Sequence, residues 1–288
     1  MRMLLLLTAL VLLFLSCSAC LADDTAAYLP PAGYDQKQDG VAYYTLQAKS
    51  YFSKTCGKFR DCLVYLPAGY DPDTAYPVLY LLHGIGGNHL EWTGGKPDVI
   101  LGNMLSAGTA APMIVVTPNI KAFPSGVSSG NLYSQETFQA FDNFINDLRD
   151  DLMPFIRENY HILEGRENTA VAGLSMGGRE ALYIGVKMEE AIGYVGAFEP
   201  APGVLGYFNE SGLFTQEEFK FREDLDTFVM IVAGTNDTVV GDFPKLYSDT
   251  LTKNGSAHVF YETRGGHDFT VWKNGLYNFA RNIFGAGK

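Results

Sequence analysis

Short runs that are apolar at every position, separated by stretches with helical periodicity, restrict this sequence to very few folds. Pro77 to Leu82 reads PVLYLL and Pro112 to Thr117 reads PMIVVT. Thr169 to Ala172, Ile192 to Phe198, Thr227 to Val232 and His258 to Tyr261 are further strand candidates. A strand with one wet face alternates apolar and polar side chains, so a run without alternation has to be covered on both faces. Helical segments lie between them: Val99 to Leu105, residues 135–158, Met176 to Lys187, Phe243 to Lys253, and a last one from Val271. In the long segment Phe138, Phe141, Phe144, Ile145, Leu148, Leu152 and Ile156 recur at three- and four-residue steps, the stripe of one amphipathic helix. This alternation predicts an α/β fold, a mostly parallel central sheet flanked by helices. Strand-like runs at Tyr43 to Phe52 and Leu63 to Leu66 add an antiparallel hairpin at one edge. The chain has 288 residues, 47% hydrophobic and 18% charged, enough for one such core and too apolar for disorder.

The sequence divides into a leader (1–22), an extended segment lying over the surface (23–40) and an uninterrupted α/β domain (41–288). Met1-Arg2-Met3 carries a positive charge, and Leu4 to Leu15 is apolar apart from Thr8. Such a run is short for a membrane span and fits the core of a secretory signal peptide, so a secreted or extracytoplasmic protein is expected. Two cleavages compete. One follows Cys20-Leu21-Ala22 and frees Asp23; the other resembles a lipobox at Phe14-Leu15-Ser16-Cys17 and would anchor Cys17 to lipid. Export makes Cys56 and Cys62 candidates for a disulfide across the hairpin, with two free thiols the alternative in reducing surroundings. No other Cys or His lies close enough in sequence for a metal site there. The formal net charge is −11 without any basic cluster, which argues against nucleic acid or anionic lipid as partners.

Ligands of parallel sheets sit beyond the carboxyl ends of the strands, and that is where the reactive residues fall. Gly173-Leu174-Ser175-Met176-Gly177 lies between a strand and a helix, the setting of a nucleophile elbow. A serine hydroxyl needs a base to take its proton. Of the five histidines, His267 stands in Gly265-Gly266-His267-Asp268-Phe269, after the last strand and before the last helix. His161 and His258 read as packing or surface residues, and His83 as a residue that shapes a loop. The base needs a carboxylate to fix its tautomer. Asp237 comes after the strand at 227–232 and gives the chain order Ser, Asp, His; Asp242 is the next candidate, and Asp268 suits a helix cap. Two backbone N–H groups are expected to hold the oxyanion: Met176, after the nucleophile, and Ile85 in His83-Gly84-Ile85-Gly86-Gly87. The glycine loop lacks the Lys-Ser/Thr of a phosphate-binding loop.

Taken together, these strings resemble the feruloyl and acetylxylan esterases of carbohydrate esterase family one, relatives of esterase D with an α/β-hydrolase fold. The resemblance rests on Val64-Tyr65-Leu66-Pro67-Ala68-Gly69-Tyr70, Leu81 to Gly87 with Trp92, Val116-Thr117-Pro118-Asn119, Gly173 to Gly178, Gly234-Thr235-Asn236-Asp237 and Gly265 to Phe269. It implies a serine carboxylesterase that removes feruloyl or acetyl groups from plant cell-wall xylan or its oligosaccharides through an acyl-enzyme, without a metal or organic cofactor. The family's triad falls on Ser175, Asp237 and His267. Glu199 departs from the pattern, since the family usually has a small residue there. Trp92 and Trp272 come after the two site loops and either reach the cleft or pack the core. A carbohydrate acyltransferase would use the same triad, an S-formylglutathione hydrolase conflicts with the leader, and a non-enzymatic binding module would have no need of three triad residues. None of these motifs sets an oligomeric state.

Overall fold

The computed structural model describes residues 24–207 and 211–285. The expected leader, both cleavage sites and Cys17 lie outside the described residues. Eight strands form one sheet: β1 (Thr45–Ser53), β2 (Lys58–Leu66), β3 (Val78–Leu82), β4 (Ile114–Pro118), β5 (Thr169–Leu174), β6 (Tyr194–Phe198), β7 (Phe228–Gly234) and β8 (Val259–Thr263). Their spatial order is β1-β2-β4-β3-β5-β6-β7-β8. The β1–β2 and β2–β4 pairs are antiparallel, and every other pair is parallel. Register aligns the strand ends. Leu82 lies opposite Gly173, Leu174 opposite Phe198, Phe198 opposite Val232, and Gly234 opposite Thr263. Five parallel strands therefore end at nearly the same level, and the loops after them share one edge of the sheet.

β3, β4 and β5 are buried along their whole length, as their unbroken apolar runs require. One face packs α2 (Gln135–Asp142), α3 (Phe144–Asp147), α4 (Met153–Asn159), α5 (Met176–Lys187) and α6 (Phe243–Lys253), through Phe141, Phe144, Leu182, Ile184 and Leu251 among others. The other face packs α1 (Pro97–Ser106) and α7 (Phe269–Ala280), through Ile100, Leu101, Val271, Leu276 and Phe279. Each large side chain so buried contributes roughly 1.5–3 kcal/mol.

The expected single helix over 135–158 is instead segmented, with a break at Asn143 and a wide π-turn over Leu148–Leu152. Pro154 supplies the reason. It has no N–H, and its ring would crowd the carbonyl four residues back; the Met153 N–H bonds to Leu148 O instead. The apolar stripe survives the break, because Phe141, Phe144, Leu148, Leu152 and Ile156 are all buried. Two acids also point inward from this segment. Asp147 accepts from Tyr51 Oη at 2.5 Å and Arg60 Nε at 3.1 Å, and Asp151 accepts from the amides of Lys54 and Thr55. They tie the edge hairpin to the helical layer.

The disulfide expected between Cys56 and Cys62 is absent: both are free, buried thiols. The hairpin register explains it. Ser53 pairs with Lys58, so Cys56 sits in the turn beyond the last pair, while Cys62 stands opposite Lys49. Burial pushes the Cys62 thiol up to about 12. Residues 24–40 begin with a helical turn at Asp24–Tyr28 and are pinned to the second face. Tyr28 stacks on Tyr261 at 3.9 Å, and Asn103 Nδ2 donates to Tyr34 O and Gln36 O. Among the described residues no helix is long and apolar enough to cross a membrane.

Candidate active site

The turn from β5 into α5 carries Ser175 in a left-handed conformation, φ 52° and ψ −117°. The surrounding sequence is what makes that turn buildable. A side chain on Gly173 would run into the backbone of Gly177, and one on Gly177 into the carbonyls of Leu82 and His83. Ser175 N–H donates to Phe198 O at 2.9 Å, and Ser175 O accepts from Ala201 N–H at 3.0 Å. The backbone is thus clamped to the neighbouring strand while the hydroxyl stands at the tip. Ser175 Oγ makes no hydrogen bond among the described residues, so the contact with a base is not closed in this structure.

His267 and Asp237 are brought together from loops after adjacent strands, β8 and β7. His267 Nδ1 lies 2.8 Å from Asp237 Oδ2. The other carboxylate oxygen accepts from Val239 N–H at 2.7 Å and Val240 N–H at 3.1 Å. Burial opposes ionisation of Asp237, but the His267 bond and these two amides outweigh it and hold the acid below its ordinary range. Asp242 stands exposed at the start of α6 and caps nothing. Asp268 caps α7 by accepting from Thr270 N–H at 2.6 Å. His161 is exposed, and His258 is bound to Ser248 Oγ at 2.7 Å.

His83 comes directly after β3 and is buried, which drives its pKa down to about 4. Its Nε2 accepts from Ile120 N–H at 2.9 Å, so the proton sits on Nδ1, which donates to Gly84 O at 2.7 Å. On the other side Gly84 N–H donates to Glu91 Oε2 at 2.6 Å, and Gly87 N–H donates to Gly84 O. These bonds set the loop beside the elbow, where a side chain on Gly84 would come 3.5 Å from Ser175 Cβ. The amides of Ile85, next to Gly84 in this loop, and of Met176, next to the serine, donate to no described residue. Glu91 escaped the sequence reading. Its signal was a carboxylate seven residues past a glycine amide that needs an acceptor.

Trp92 is fully buried, and its Nε1 donates to Leu82 O at 2.9 Å. It holds the end of β3 and does not reach the cleft. Trp272 packs edge-on against the His267 ring, with centroids 5.2 Å apart and planes at 89°. Glu199, the departure from the family pattern that the sequence places near the pocket as a candidate influence on acyl-group preference, comes directly after β6 and lies behind His267. Its Oε2 lies 3.6 Å from His267 Nδ1. Side-chain donor and acceptor atoms of Glu199, Asp237 and His267 all lie within 4.8 Å of one another. One turn along α5 from Ser175, a cavity of about 700 Å³ is walled by Tyr133, Phe138, Arg179, Pro202 and Tyr207. The Arg179 charge is taken up by Asp142, at 2.6 Å, and by Glu180.

Comparison with known proteins agrees with this geometry. The Esterase family model matches residues 53–282. A CE1 ferulic acid esterase from Anaeromyces mucronatus, solved with ferulic acid, is 40% identical, covers 91% of this chain and 98% of its own, and superposes with a TM-score of 0.85. An endo-1,4-beta-xylanase/feruloyl esterase from Xylanibacter ruminicola is 28% identical over 87% of this chain, which spans about a third (33%) of that protein. An acetyl esterase from Caldicellulosiruptor saccharolyticus is 27% identical over 81% of this chain and 85% of its own.

Proposed function

Since the chain belongs to the Esterase family and is a CE1-like carboxylesterase of the α/β-hydrolase fold, we propose that it is an exported serine hydrolase that removes feruloyl groups from xylan or its oligosaccharides. The observation that carries the chemistry is the 2.8 Å pairing of His267 with Asp237 at the sheet edge that presents Ser175. Ser175 Oγ attacks the ester carbonyl while His267 Nε2 takes its proton, and Asp237 steadies the imidazolium through Nδ1–H. The carbonyl oxygen becomes an oxyanion that accepts from the Ile85 and Met176 amides. Collapse breaks the C–O bond, and the sugar hydroxyl leaves with the proton from His267. A water, deprotonated by His267, then attacks the acyl-enzyme through a second oxyanion, releasing the acid and restoring the Ser175 hydroxyl.

Support for an aromatic acyl group comes from the likeness to a ferulic acid esterase solved with ferulic acid; the cavity one turn along α5 adds the rings of Tyr133 and Phe138 among walls that also include Gln135, Gln139 and Asp142. Exposed Leu90, Leu132 and Val239 add apolar surface on loops at the same sheet edge. The leader supports export, and the xylan-directed names of the relatives support the polysaccharide. Acetyl transfer to water is the second reading, favoured by the likeness to an acetyl esterase. The deciding measurement is kcat/KM for methyl ferulate against an acetylated xylo-oligosaccharide. A feruloyl enzyme prefers the first; an advantage of about tenfold or more for the second, about 1.4 kcal/mol in transition-state binding, would overturn the feruloyl assignment.

A further inference from the structure

Glu199 has no part in the proposed acyl transfer, yet it occupies the most confined position at the site. Its backbone lies in the left-handed region, φ 49°, with its N–H donating to Val232 O at 2.7 Å. That conformation turns the side chain inward, where it is fully buried. Neither carboxyl oxygen receives a hydrogen bond from a described donor. Room for it is made by Gly234, at the end of β7, since any side chain there would collide with Glu199 Oε1. A strained backbone, a reserved space and an unserved buried carboxyl together call for a role.

The neighbours define that role. Asp237 faces Glu199 from the loop after β7, His267 and Asp268 from the loop after β8, and Trp272 from α7. His267 has a single N–H on this side, and Asp237 takes it at 2.8 Å, leaving Glu199 at 3.6 Å, too far for a hydrogen bond. Two ionised carboxylates here would be buried and would repel, with the Trp272 indole N–H the one further described donor facing Glu199. A protonated Glu199 removes both the second buried charge and the repulsion, because its O–H takes the Asp237 carboxylate as its side-chain hydrogen-bond partner. We infer that Glu199 is a neutral second acid that donates its proton to Asp237, a positioning residue that holds the Asp237 carboxylate on His267. The inference rests on the proposed Ser175–His267–Asp237 assignment.

Burial first, and the Asp237 charge second, raise the Glu199 pKa to about 9. The group is therefore protonated through neutral pH, and its hold on Asp237 is lost as pH rises through about 9. Beyond that point two carboxylates face His267 and activity should fall. The test is the pH profile of kcat and kcat/KM on methyl ferulate for wild type, Glu199→Ala and Glu199→Gln. Glu199→Ala removes the donor and should lower kcat by about tenfold or more, the scale of an orienting partner, with KM nearly unchanged. Glu199→Gln restores an N–H donor and cannot ionise. It should recover most of that kcat and lose the alkaline decline near pH 9. A Gln variant that keeps the wild-type alkaline limb overturns the inference, as does one whose kcat falls as far as the Ala variant's. If Glu199→Ala does not fold, the Gln profile alone decides. Asp237→Asn separates the two layers: if it leaves activity intact, the underlying triad assignment fails, whereas its loss beside an unaltered Glu199→Gln profile sinks only the role of Glu199.

Discussion

Asp237→Asn changes one atom, and the structure dictates which way the new amide faces. The Val239 and Val240 amides, at 2.7 and 3.1 Å, both donate to Asp237 Oδ1 and require an oxygen there. The amide nitrogen must then occupy the Oδ2 position, 2.8 Å from His267 Nδ1. An N–H donor at that distance needs an acceptor, so Nδ1 gives up its hydrogen and Nε2 carries it. In that tautomer His267 cannot take a proton from Ser175. Serine triads with this defect lose about 10⁴-fold in kcat, equivalent to about 5.5 kcal/mol of barrier. Substrate binding should be nearly unchanged, because Asp237 lies behind His267. The assay is kcat and KM on methyl ferulate, with active enzyme counted by fluorophosphonate titration of wild type. Asp242→Asn, exposed at the start of α6, is the matched control and should be close to silent. A loss below tenfold for Asp237→Asn, or an equal loss in the control, would refute the tautomer argument.

Two further outcomes are expected. Ser175→Ala should abolish fluorophosphonate labelling and reduce turnover by at least about 10³-fold, with a thermal midpoint within about 3 °C of wild type, because the elbow is built by its glycines; labelling that persists would place the nucleophile elsewhere. Asp147→Ala strips the buried Arg60 guanidinium of its ion pair at 3.1 Å and Tyr51 Oη of its acceptor. Breaking such a pair costs about 3–5 kcal/mol, which for a chain of this length lowers the midpoint by roughly 5–8 °C in calorimetry. A drop under about 2 °C would show that the hairpin does not depend on that pair.

What the sequence made legible and what it did not divide along one physical line. Strands β3 to β8 and helices α5 and α6 were readable because burial on both faces, or along one stripe, is written in consecutive residues. The carboxyl-end rule then singled out Ser175, Asp237 and His267, the proposed triad, without any knowledge of contacts, and the structure brings the last two within 2.8 Å. The departures all depend on partners distant in sequence or on geometry that composition does not record. The π-turn over Leu148–Leu152 is a local response to Pro154, invisible to a periodicity that tolerates small phase errors. The two thiols are near in sequence but out of register in the hairpin. For Trp92, after the Ile85 loop, the sequence leaves cleft and core both open, and only the structure shows the indole N–H committed to Leu82 O.

Glu199 shows how such a gap could be closed from the sequence side. A carboxylate directly after an apolar strand in a site where a small residue is usual has to be either exposed or neutralised. Here nothing permanently cationic is offered to it by the elements that face it, which are Asp237, His267 with Asp268, and Trp272. The glycine that accommodates it, Gly234, opens the Gly234-Thr235-Asn236-Asp237 string that also delivers the proposed triad acid. One strand end therefore sets both the acid and the space for its neighbour. A change at Gly234 should be felt through Glu199 before it is felt by substrate, and for that reason the pair belongs to the orientation of His267 and not to the pocket that receives the acyl group.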